Sequence, residues 1–381
     1  MLKISKILLV SIGSSESIDT WSGVPYFLRK SLLEKGISVE VLNLEPNHII
    51  KIVYNKVICR VIDVLTSKGE SCIYRSFFFR VYSRVRTNYV LRKIPDIDAI
   101  ISCSYLVNFG PHKCPLILFS DWPHSYVLRR NNYKPSKYLA YWNEIEMSNI
   151  KSADGVLSLF STCARYCNDE LKVDKVKYLG INVINSLTDL VNPQFVINQK
   201  AQAKKIIFVG RDHYIQAAID LIEVFPQLKE VMPEICLEII GLQKNTVCEY
   251  IGDIHQDIIF RGYLSKSVDI ERKLYYEALE SASVFVNINE GWSGYTSMVE
   301  AMYYCTPVIV YPCAELIEEF GQDITFGCYC KHKSQLKESI LSILMSPNYS
   351  FLCENAHNIV AGYTWENYSS KLLKFIEVLS K

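Results

Sequence analysis

The feature that most constrains the fold is an alternation of short apolar runs with longer helical segments, which starts near the N-terminus and starts again at Lys205. The first run, KILLVSI from Lys6 to Ile12, is continuously apolar, as expected of a parallel strand covered on both faces. A loop rich in glycine and serine follows it, and Pro25 then opens a helical pattern. Because alternating β and α segments build parallel sheets, the sequence predicts an α/β protein.

The restart predicts two domains, and 381 residues suit two domains of roughly 150 to 200 residues each. We expect an N-terminal domain over 1–190 and a C-terminal domain over 200–363, with the polar segment 188–203 as the linker. Strands are predicted at 38–44, 99–103, 116–119 and 155–159 in the first domain, and at 205–210, 236–240, 258–260, 284–288 and 308–310 in the second.

Composition excludes several classes of protein. With 41 basic and 40 acidic residues, the chain lacks the overall positive charge that would indicate a nucleic-acid partner. Its 13 cysteines are scattered without a zinc-ligand pair, which favours free thiols in a reducing, cytoplasmic compartment and predicts no metal site. The first apolar run is far shorter than the ~20 residues that span a bilayer and has no cleavage site, so we interpret it as a strand.

One segment, 51–93, departs from this neutral balance. It carries ten basic residues against Asp63 and Glu70, a net charge of +8, and five aromatic residues are interleaved with them. One interpretation is a helical face that lies peripherally on an anionic membrane. The other is that the charges are solvated and the aromatics belong to the core. The aromatic residues are Phe77, Phe78, Phe79, Tyr82 and Tyr89.

Ligands of doubly wound domains bind beyond the carboxyl ends of the strands, where loops and helix N-termini present unpaired amides. The segment 289–312, which follows the predicted strand 284–288, combines an acidic residue, a glycine-bearing loop and the start of a helix. With Thr296 or Ser297 as N-cap, the amides of Gly294, Tyr295 and Thr296 would point at an anion such as a diphosphate.

Three charged side chains near these strand ends are candidates for the chemistry. Glu300 is predicted to accept hydrogen bonds from a ribose diol, and Glu290 is free to reach a sugar ring. Alternatively, Glu290 is a solvated loop residue and Glu300 offsets the helix dipole. Arg211 follows Gly210 at the end of a predicted strand and would clamp phosphate oxygens as charge develops, unless it pairs with Asp212 or another carboxylate.

At this point the sequence resembles a known family. Residues 205–312 are similar to the C-terminal domain of family 4 of the retaining glycosyltransferases, the group-1 glycosyl transferases, whose GT-B fold has two Rossmann-like domains facing each other across a cleft. The residues that carry the resemblance are Gly210-Arg211, Glu300-Ala301-Met302 and Thr306-Pro307-Val308-Ile309.

Weaker likeness extends over the rest of the chain. The stretch 21–26, with Gly23, resembles the glycine-bearing loop after the family's first strand, and 157–182 resembles its hinge region. Thr364-Trp365-Glu366 resembles the opening of the last helix, which in this fold returns to the N-terminal domain. The resemblance therefore implies that helix 364–381 packs on the first domain.

The sequence departs from the family pattern at three places. Glu290 and Glu300 are separated by nine residues, where the family has seven. Gln216 occupies the position of a lysine, which removes half of the expected diphosphate clamp. Many members have a histidine near the donor sugar where this chain has Ser120-Asp121, so Asp121 or His124 would substitute for it.

The resemblance implies a transferase that needs neither metal nor cofactor. It would move a sugar from a UDP- or GDP-linked donor to a hydroxyl of a glycan or lipid-linked acceptor, with retained configuration, in surface polysaccharide, lipopolysaccharide or glycoconjugate synthesis. The enzyme would be cytoplasmic or peripheral on the inner membrane face. Arg211 and the amides of 294–296 would form the catalytic centre, because the departing phosphate itself accepts the acceptor's proton.

Three alternatives to this hypothesis make different demands on the sequence. A nicotinamide-dependent oxidoreductase requires Gly-x-Gly-x-x-Gly after a first strand, and neither Gly13 nor Gly210 begins that motif. Asp96-Ile97-Asp98 resembles the metal-binding motif of the other transferase fold but precedes a predicted strand. A GT-B protein that binds nucleotide-sugars without turnover stays open, because Gln216 and the wider glutamate spacing favour it.

Overall fold

The computed structural model describes residues 4–380, and the chain divides into two compact units. The first contains Met1–Ile181 and Trp365–Lys381, and the second contains Asn182–Thr364. Lys381, the last residue of the predicted C-terminal helix, lies outside the described residues, as do Met1 to Lys3. Within 4–380, no helix combines the length and apolar character that crossing a bilayer requires.

The first unit is built on a six-stranded parallel sheet with the order β2-β1-β3-β4-β5-β6. Its strands are β1 (Lys6–Ser11), β2 (Ser38–Asn43), β3 (Ala99–Ser102), β4 (Leu116–Ser120), β5 (Gly155–Ser158) and β6 (Val176–Tyr178). Leu9 of β1 lies opposite Val41 of β2 and Ile101 of β3, so β1 is paired on both sides. The strand order reverses between β1 and β3, which makes the loop after β1 part of this unit's ligand-binding edge.

Helices pack on this sheet, whose inner strands β1, β3, β4 and β5 are buried along nearly their whole length. They are α1 (Val24–Glu34), α2 (His48–Val53), α3 (Arg60–Thr66), α4 (Phe77–Lys93), α5 (His124–Arg130), α6 (Lys137–Ser152) and α7 (Ser161–Asp169). A wide helical turn, Tyr54–Cys59, joins α2 to α3 without a break.

The second unit repeats this design with a parallel sheet of order β12-β11-β10-β7-β8-β9. Its strands are β7 (Lys205–Val209), β8 (Cys236–Ile240), β9 (Ile258–Gly262), β10 (Val284–Asn287), β11 (Val308–Val310) and β12 (Gly327–Tyr329). Its helices are α8 (Pro193–Ala203), α9 (Ile215–Val231), α10 (Lys244–Ile251), α11 (Asp269–Ser281), α12 (Tyr295–Tyr303), α13 (Ala314–Phe320), α14 (Leu336–Leu344) and α15 (Tyr349–Val360).

The two sheets confirm the predicted fold class of two Rossmann-like α/β domains. The ten predicted strands are all present, with ends shifted by at most two residues. The sequence did not reveal β6 and β12, because each has only three residues and neither is a continuously buried run. All thirteen cysteines are free thiols.

The predicted linker 188–203 is wrong in its C-terminal part. Residues Pro193–Ala203 form α8, a helix of the second unit that begins at an Asn192 N-cap. Lys200 on this helix is fully buried, and its ammonium donates to the carbonyls of Leu279 and Ala282 and to the Thr306 hydroxyl. Burial lowers the pKa of Lys200 to about 7. The sequence did not predict that Lys200 is buried, because lysine side chains are almost always exposed unless hydrogen-bond acceptors surround them.

The C-terminal helix, α16 (Trp365–Leu379), belongs to the first unit and packs against α1. Ser31 of α1 donates to the backbone carbonyl of Trp365 at 3.1 Å, and its hydroxyl lies 2.7 Å from that of Ser369. The rings of Phe27 and Trp365 are 6.5 Å apart. A buried polar pair between apolar neighbours fixes the contact between the two helices.

The loop after β1 reaches α1 through a left-handed turn. Trp21, Ser22 and Gly23 have φ values of 43°, 54° and 82°, and Gly23 is the N-cap residue of α1. A Cβ atom at Gly23 would lie 2.7 Å from the ring of Phe27, which is buried. Glycine is therefore required here for its conformation and for the close approach of the ring.

We expect Gly23→Ala to destabilise the protein more than Gly36→Ala. Both glycines have positive φ at the ends of α1, but a Cβ atom at Gly36 meets nothing within 4 Å. The left-handed backbone alone costs about 1–2 kcal/mol for a residue with a Cβ atom, and only Gly23→Ala adds the clash with Phe27. Urea-induced unfolding of both variants measures the difference, and equal losses would contradict the packing argument.

Candidate functional site

The site predicted from the sequence lies at the carboxyl edge of the second sheet, where the strand order reverses between β7 and β10. The loops after these two strands are joined by side-chain amides. Asn287 donates to the carbonyl of Val209 at 3.1 Å, and Asn289 donates to the carbonyl of His213 at 3.4 Å. The loop of Arg211 and the loop of Gly294 are therefore held side by side.

Backbone hydrogen bonds connect the remaining loops of this edge. The N–H of Gly210 donates to the carbonyl of Ile240 at 3.0 Å, and the N–H of Gly241 donates to the carbonyl of Gly262 at 2.7 Å. Because these bonds link the ends of β7, β8 and β9, residues far apart in sequence meet on one surface.

The helix start that was predicted to bind an anion is present, but its N-cap differs from the prediction. Gly294, with φ 62°, is the N-cap of α12, and neither Thr296 nor Ser297 has that position. A Cβ atom at Gly294 would lie 2.9 Å from the Asn287 amide nitrogen and 3.2 Å from the carbonyl oxygen of Val209, so these close approaches and the positive φ both favour glycine. The Ser297 hydroxyl instead donates back to the carbonyl of Gly294 at 2.7 Å.

The first turn of α12 faces two different environments. Tyr295 is buried, with its ring stacked on Trp292 at 5.1 Å, whereas Thr296 is exposed. The amides of Thr296 and Ser297, second and third in the helix, have no acceptor within it. The positive end of the α12 dipole therefore lies beside the Arg211 loop, an arrangement that suits an anion.

Arg211 is exposed, and its guanidinium lies 5.3 Å from the centre of the Tyr263 ring, in the loop after β9. Within residues 4–380, no carboxylate forms an ion pair with it, so the alternative pairing with Asp212 does not occur. Gln216 is exposed and donates to Asp220 at 3.0 Å. The positive charge of Arg211 is thus available to a ligand at this edge.

Glu300 is only 1% exposed, and both of its carboxylate oxygens are engaged. Lys266 donates to Oε1 at 2.5 Å, and the Tyr275 hydroxyl donates to Oε2 at 2.7 Å. The Lys266 ammonium also lies 4.6 Å from the centre of the Tyr275 ring. Each carboxylate oxygen has a second lone pair, and the contact of Glu300 with a ribose stays a prediction.

Glu300 shifts the pKa values of both Lys266 and Tyr275. Burial is the largest influence on the pKa of Lys266 and by itself would lower it, but the charge and hydrogen bond of Glu300, together with the nearby Tyr276 and Tyr263, raise the pKa overall. Burial and the neighbouring Glu300 hold the pKa of the Tyr275 hydroxyl well above its usual value. Lys266 is therefore an ammonium ion and the Tyr275 hydroxyl is neutral at neutral pH.

Glu290 is exposed at the tip of the β10–α12 loop. The two additional residues between Glu290 and Glu300 are accommodated by a left-handed turn, since Ser293 and Gly294 have φ values of 49° and 62°. The Ser293 hydroxyl, which is buried, donates to the carbonyl of Asn289 at 3.0 Å and anchors the turn. The contact of Glu290 with a sugar stays a prediction.

The first unit places Asp121 and His124 together after β4. Asp121 accepts from the backbone N–H of the next residue, Trp122, at 2.8 Å. The backbone N–H of His124 donates to Glu146 at 3.0 Å, and its Nδ1 lies 2.9 Å from the Asn143 amide oxygen. When Nδ1 donates to this oxygen, Nε2 keeps its lone pair.

Two opposite pKa shifts accompany this arrangement. Burial lowers the pKa of His124, and the nearby Arg75 lowers it further, which favours the neutral imidazole. Burial raises the pKa of Glu146 to about 7, although the Arg75 guanidinium lies 3.8 Å away. The His124 side chain is therefore positioned by Asn143 and favoured in its neutral form. Its contact with a donor sugar stays a prediction.

The sequence did not reveal Lys266 and Tyr275, although they surround Glu300. Lys266 lies 34 positions from Glu300 in a Ser-Lys-Ser stretch without a recognisable motif. The only signal was its place just after a predicted strand, where doubly wound domains collect their functional residues.

Known proteins resemble the chain in part by sequence and throughout by fold. Residues 203–346 match the family model described as Glycosyl transferases group 1. No curated protein matches the sequence. The sucrose-phosphate synthase of Thermosynechococcus elongatus has 16% identity and a TM-score of 0.69, with 98% of this chain and 99% of that chain covered. WaaG, a glycosyltransferase involved in lipopolysaccharide biosynthesis, has 12% identity, a TM-score of 0.65 and the same coverage.

A mutant of S. aureus TarM, solved in complex with Fondaparinux, alpha-GlcNAc-glycerol and UDP, has 16% identity and a TM-score of 0.56. That alignment covers 76% of this chain and spans only 57% of the TarM chain. The structural matches show the GT-B fold, and the family match in the second unit supports a glycosyltransferase.

We predict that Lys266→Met destabilises the protein by about 3–5 kcal/mol, because it leaves the buried carboxylate of Glu300 without its cation. The double variant Lys266→Met/Glu300→Gln should recover most of that loss, since it contains no unpaired buried charge. Urea unfolding of the wild type, the two single variants and the double variant measures the coupling. Additive losses would contradict the role of the pair.

Proposed function

We propose that the chain is a retaining glycosyltransferase that uses a nucleoside-diphosphate sugar, UDP- or GDP-linked, and transfers the sugar to a hydroxyl of a glycan or lipid-linked acceptor. The observation that carries the proposal is that three groups lie at the same edge of the second sheet. They are a guanidinium without an ion pair among residues 4–380, a helix N-terminus and a carboxylate fixed by hydrogen bonds. These are Arg211, the first turn of α12 and Glu300. The first two suit the diphosphate of a nucleoside diphosphate, and the third suits its ribose.

The diphosphate would lie between Arg211 and the amides at the start of α12. A guanidinium and a helix dipole both stabilise charge that appears on the leaving phosphate, and they need no reorganisation to do so. In a retaining, front-face reaction the C–O bond from the sugar to the diphosphate breaks, the acceptor oxygen bonds to the same face, and the departing phosphate takes the acceptor's proton. We propose that this proceeds without a metal, because the protein itself supplies the positive charge.

The ribose would lie at Glu300, whose carboxylate Lys266 and Tyr275 hold in a fixed direction. Support for uridine comes from the TarM mutant, whose structure was determined with UDP. Glu290, on the exposed tip of the same loop, would contact the transferred sugar. We propose surface polysaccharide, lipopolysaccharide or glycoconjugate synthesis as the setting, supported by the lipopolysaccharide role printed for WaaG.

A second candidate, a nucleotide-sugar-binding protein without turnover, is favoured by one observation. Gln216 stands where the family's lysine would contact the diphosphate, and it bonds to Asp220 instead. Incubation with labelled UDP-sugars separates the two functions. The enzyme consumes donor by transfer or slow hydrolysis, whereas a binding protein is protected against heating and leaves the donor intact.

We expect UDP or GDP to raise the melting temperature of the full chain, and Glu300→Gln to remove most of the rise. The substitution keeps the shape of the side chain but replaces the anion that accepts the ribose hydroxyls. Glu290→Gln is the matched control, because it makes the same change on the exposed loop and should leave the rise intact. An unchanged rise in Glu300→Gln would remove Glu300 from the nucleotide site.

We expect Arg211→Ala to lower kcat by about 10²–10³ while changing KM for the donor little. Its charge acts most strongly as the leaving group forms, so its loss affects the transition state more than the bound substrate. Lys273→Ala, an exposed cation of the same unit, should change neither constant. Steady-state kinetics measure both, and an equal loss in affinity and turnover would count against this role.

A further inference from the structure

Exposed apolar side chains are concentrated in one part of the first unit. Of the 28 large hydrophobic residues that the described chain exposes, 13 lie between Ile49 and Tyr89. Leu65, Phe77 and Val64 are 79%, 73% and 73% exposed. Scattered exposed hydrophobics are ordinary, but a concentration of this size on neighbouring elements indicates an interaction surface.

Helix α4 has its apolar and polar sides reversed relative to an ordinary surface helix. Its buried residues are Phe79, Ser83 and Thr87, two of them hydroxyl side chains that bond to backbone carbonyls of their own helix. The residues that it turns outward at intervals of four are Phe77, Val81, Val85 and Tyr89. The outward stripe is therefore the more apolar one.

The preceding helical segment, 48–66, is exposed along nearly its whole length. Cys59 is its one buried residue, while nine large aliphatic side chains face outward. They are Ile49, Ile50, Ile52, Val53, Val57, Ile58, Val61, Val64 and Leu65. The ring of Tyr54 lies 5.8 Å from that of Phe78, so this segment and α4 are neighbours. We call the exposed side of 48–66 and 77–93 the basic apolar face.

Positive charge accompanies the apolar residues. Six basic side chains of the face are exposed and form no ion pair among residues 4–380, namely Lys56, Arg60, Arg84, Arg86, Arg92 and Lys93. No acidic side chain is exposed between 48 and 93. The Lys93 ammonium lies 4.6 Å from the centre of the Tyr89 ring, so an amphipathic aromatic and a long cation share one position.

We propose that the basic apolar face binds the surface of an anionic lipid bilayer. The apolar side chains would enter the boundary between headgroups and acyl chains, and the six cations would lie among anionic headgroups. A second copy of this chain is a poor occupant, because segment 51–93 has a net charge of +8 and would repel its equivalent. The contact is peripheral and does not depend on the proposed transferase activity.

The five aromatic residues of segment 51–93 distinguish the two interpretations of that segment, a membrane-facing surface and solvated helices with aromatics in the core. Phe79 is fully buried and belongs to the core, whereas Phe77 and Tyr89 are 73% and 55% exposed. Phe78 and Tyr82 are half-buried, with their rings stacked at 5.8 Å on α4. The aromatics are thus divided, and the exposed ones align with exposed aliphatic and basic residues.

The test is flotation of the full chain with vesicles of phosphatidylcholine alone and of phosphatidylcholine mixed with phosphatidylglycerol. We expect binding to the mixed vesicles, weaker binding to the neutral ones, and loss of the difference in high salt. Arg84→Glu/Arg92→Glu should lower the partition coefficient on mixed vesicles by roughly tenfold or more. Val81→Ser/Val85→Ser should lower it on both kinds of vesicle, because it removes apolar area.

Matched controls are Lys273→Glu and Ile270→Ser, which change an exposed cation and an exposed aliphatic residue of the second unit. They should leave vesicle binding unchanged, and circular dichroism should show that all variants are folded. Absence of binding to mixed vesicles, or equal losses in the control variants, would overturn the proposal. So would a concentration-dependent dimer in sedimentation that the Val81→Ser/Val85→Ser substitutions dissociate.

Discussion

The structure of the candidate site depends on the hydrogen bond from the Asn287 amide to the carbonyl of Val209. A parallel sheet collects the ends of its strands at one edge, but it does not fix the distance between their loops. The Asn287 amide joins the loop after β10 to the loop after β7 at the point where strand order reverses. The small cap Gly294 then allows α12 to begin against the same carbonyl. Arg211 and the helix N-terminus share a surface for this reason.

The second constraint is the buried ion pair of Lys266 and Glu300. A carboxylate that is 1% exposed needs a cation and hydrogen bonds, and Lys266 and Tyr275 supply both. The pair also connects the loop after β9 with α12, so nucleotide binding and stability would depend on the same residues. The basic apolar face lies on the first unit and departs from this pairing, because its large apolar side chains are exposed and its six exposed cations form no ion pair among residues 4–380.

Much of the fold follows from the sequence, and particular elements show why. The apolar runs at 236–240 and 308–310 form strands with the predicted ends. A short, continuous apolar run between two helical segments is compatible with few structures other than a buried strand. The strand β12 and the helix α8 were missed or misassigned. The three half-buried residues of β12 are too few to show an apolar pattern in the sequence. The sequence of α8 is polar and includes a lysine that is buried in the structure, so it resembles a linker.

The sequence by itself determined the α/β class, the two domains, and the segments after β7 and β10 that contain Arg211, Gly294 and Glu300, because these follow from local patterns of apolar residues and glycine. Only the tertiary structure decided which groups meet there. The partners of Glu300 lie 34 and 25 positions away. Gly294, whose backbone is left-handed, caps α12 where a side-chain cap was expected, and a Cβ atom there would lie 2.9 Å from the Asn287 amide nitrogen. The tertiary structure also decided which side of α4 faces outward. Such choices depend on contacts between distant segments, and no local pattern records them.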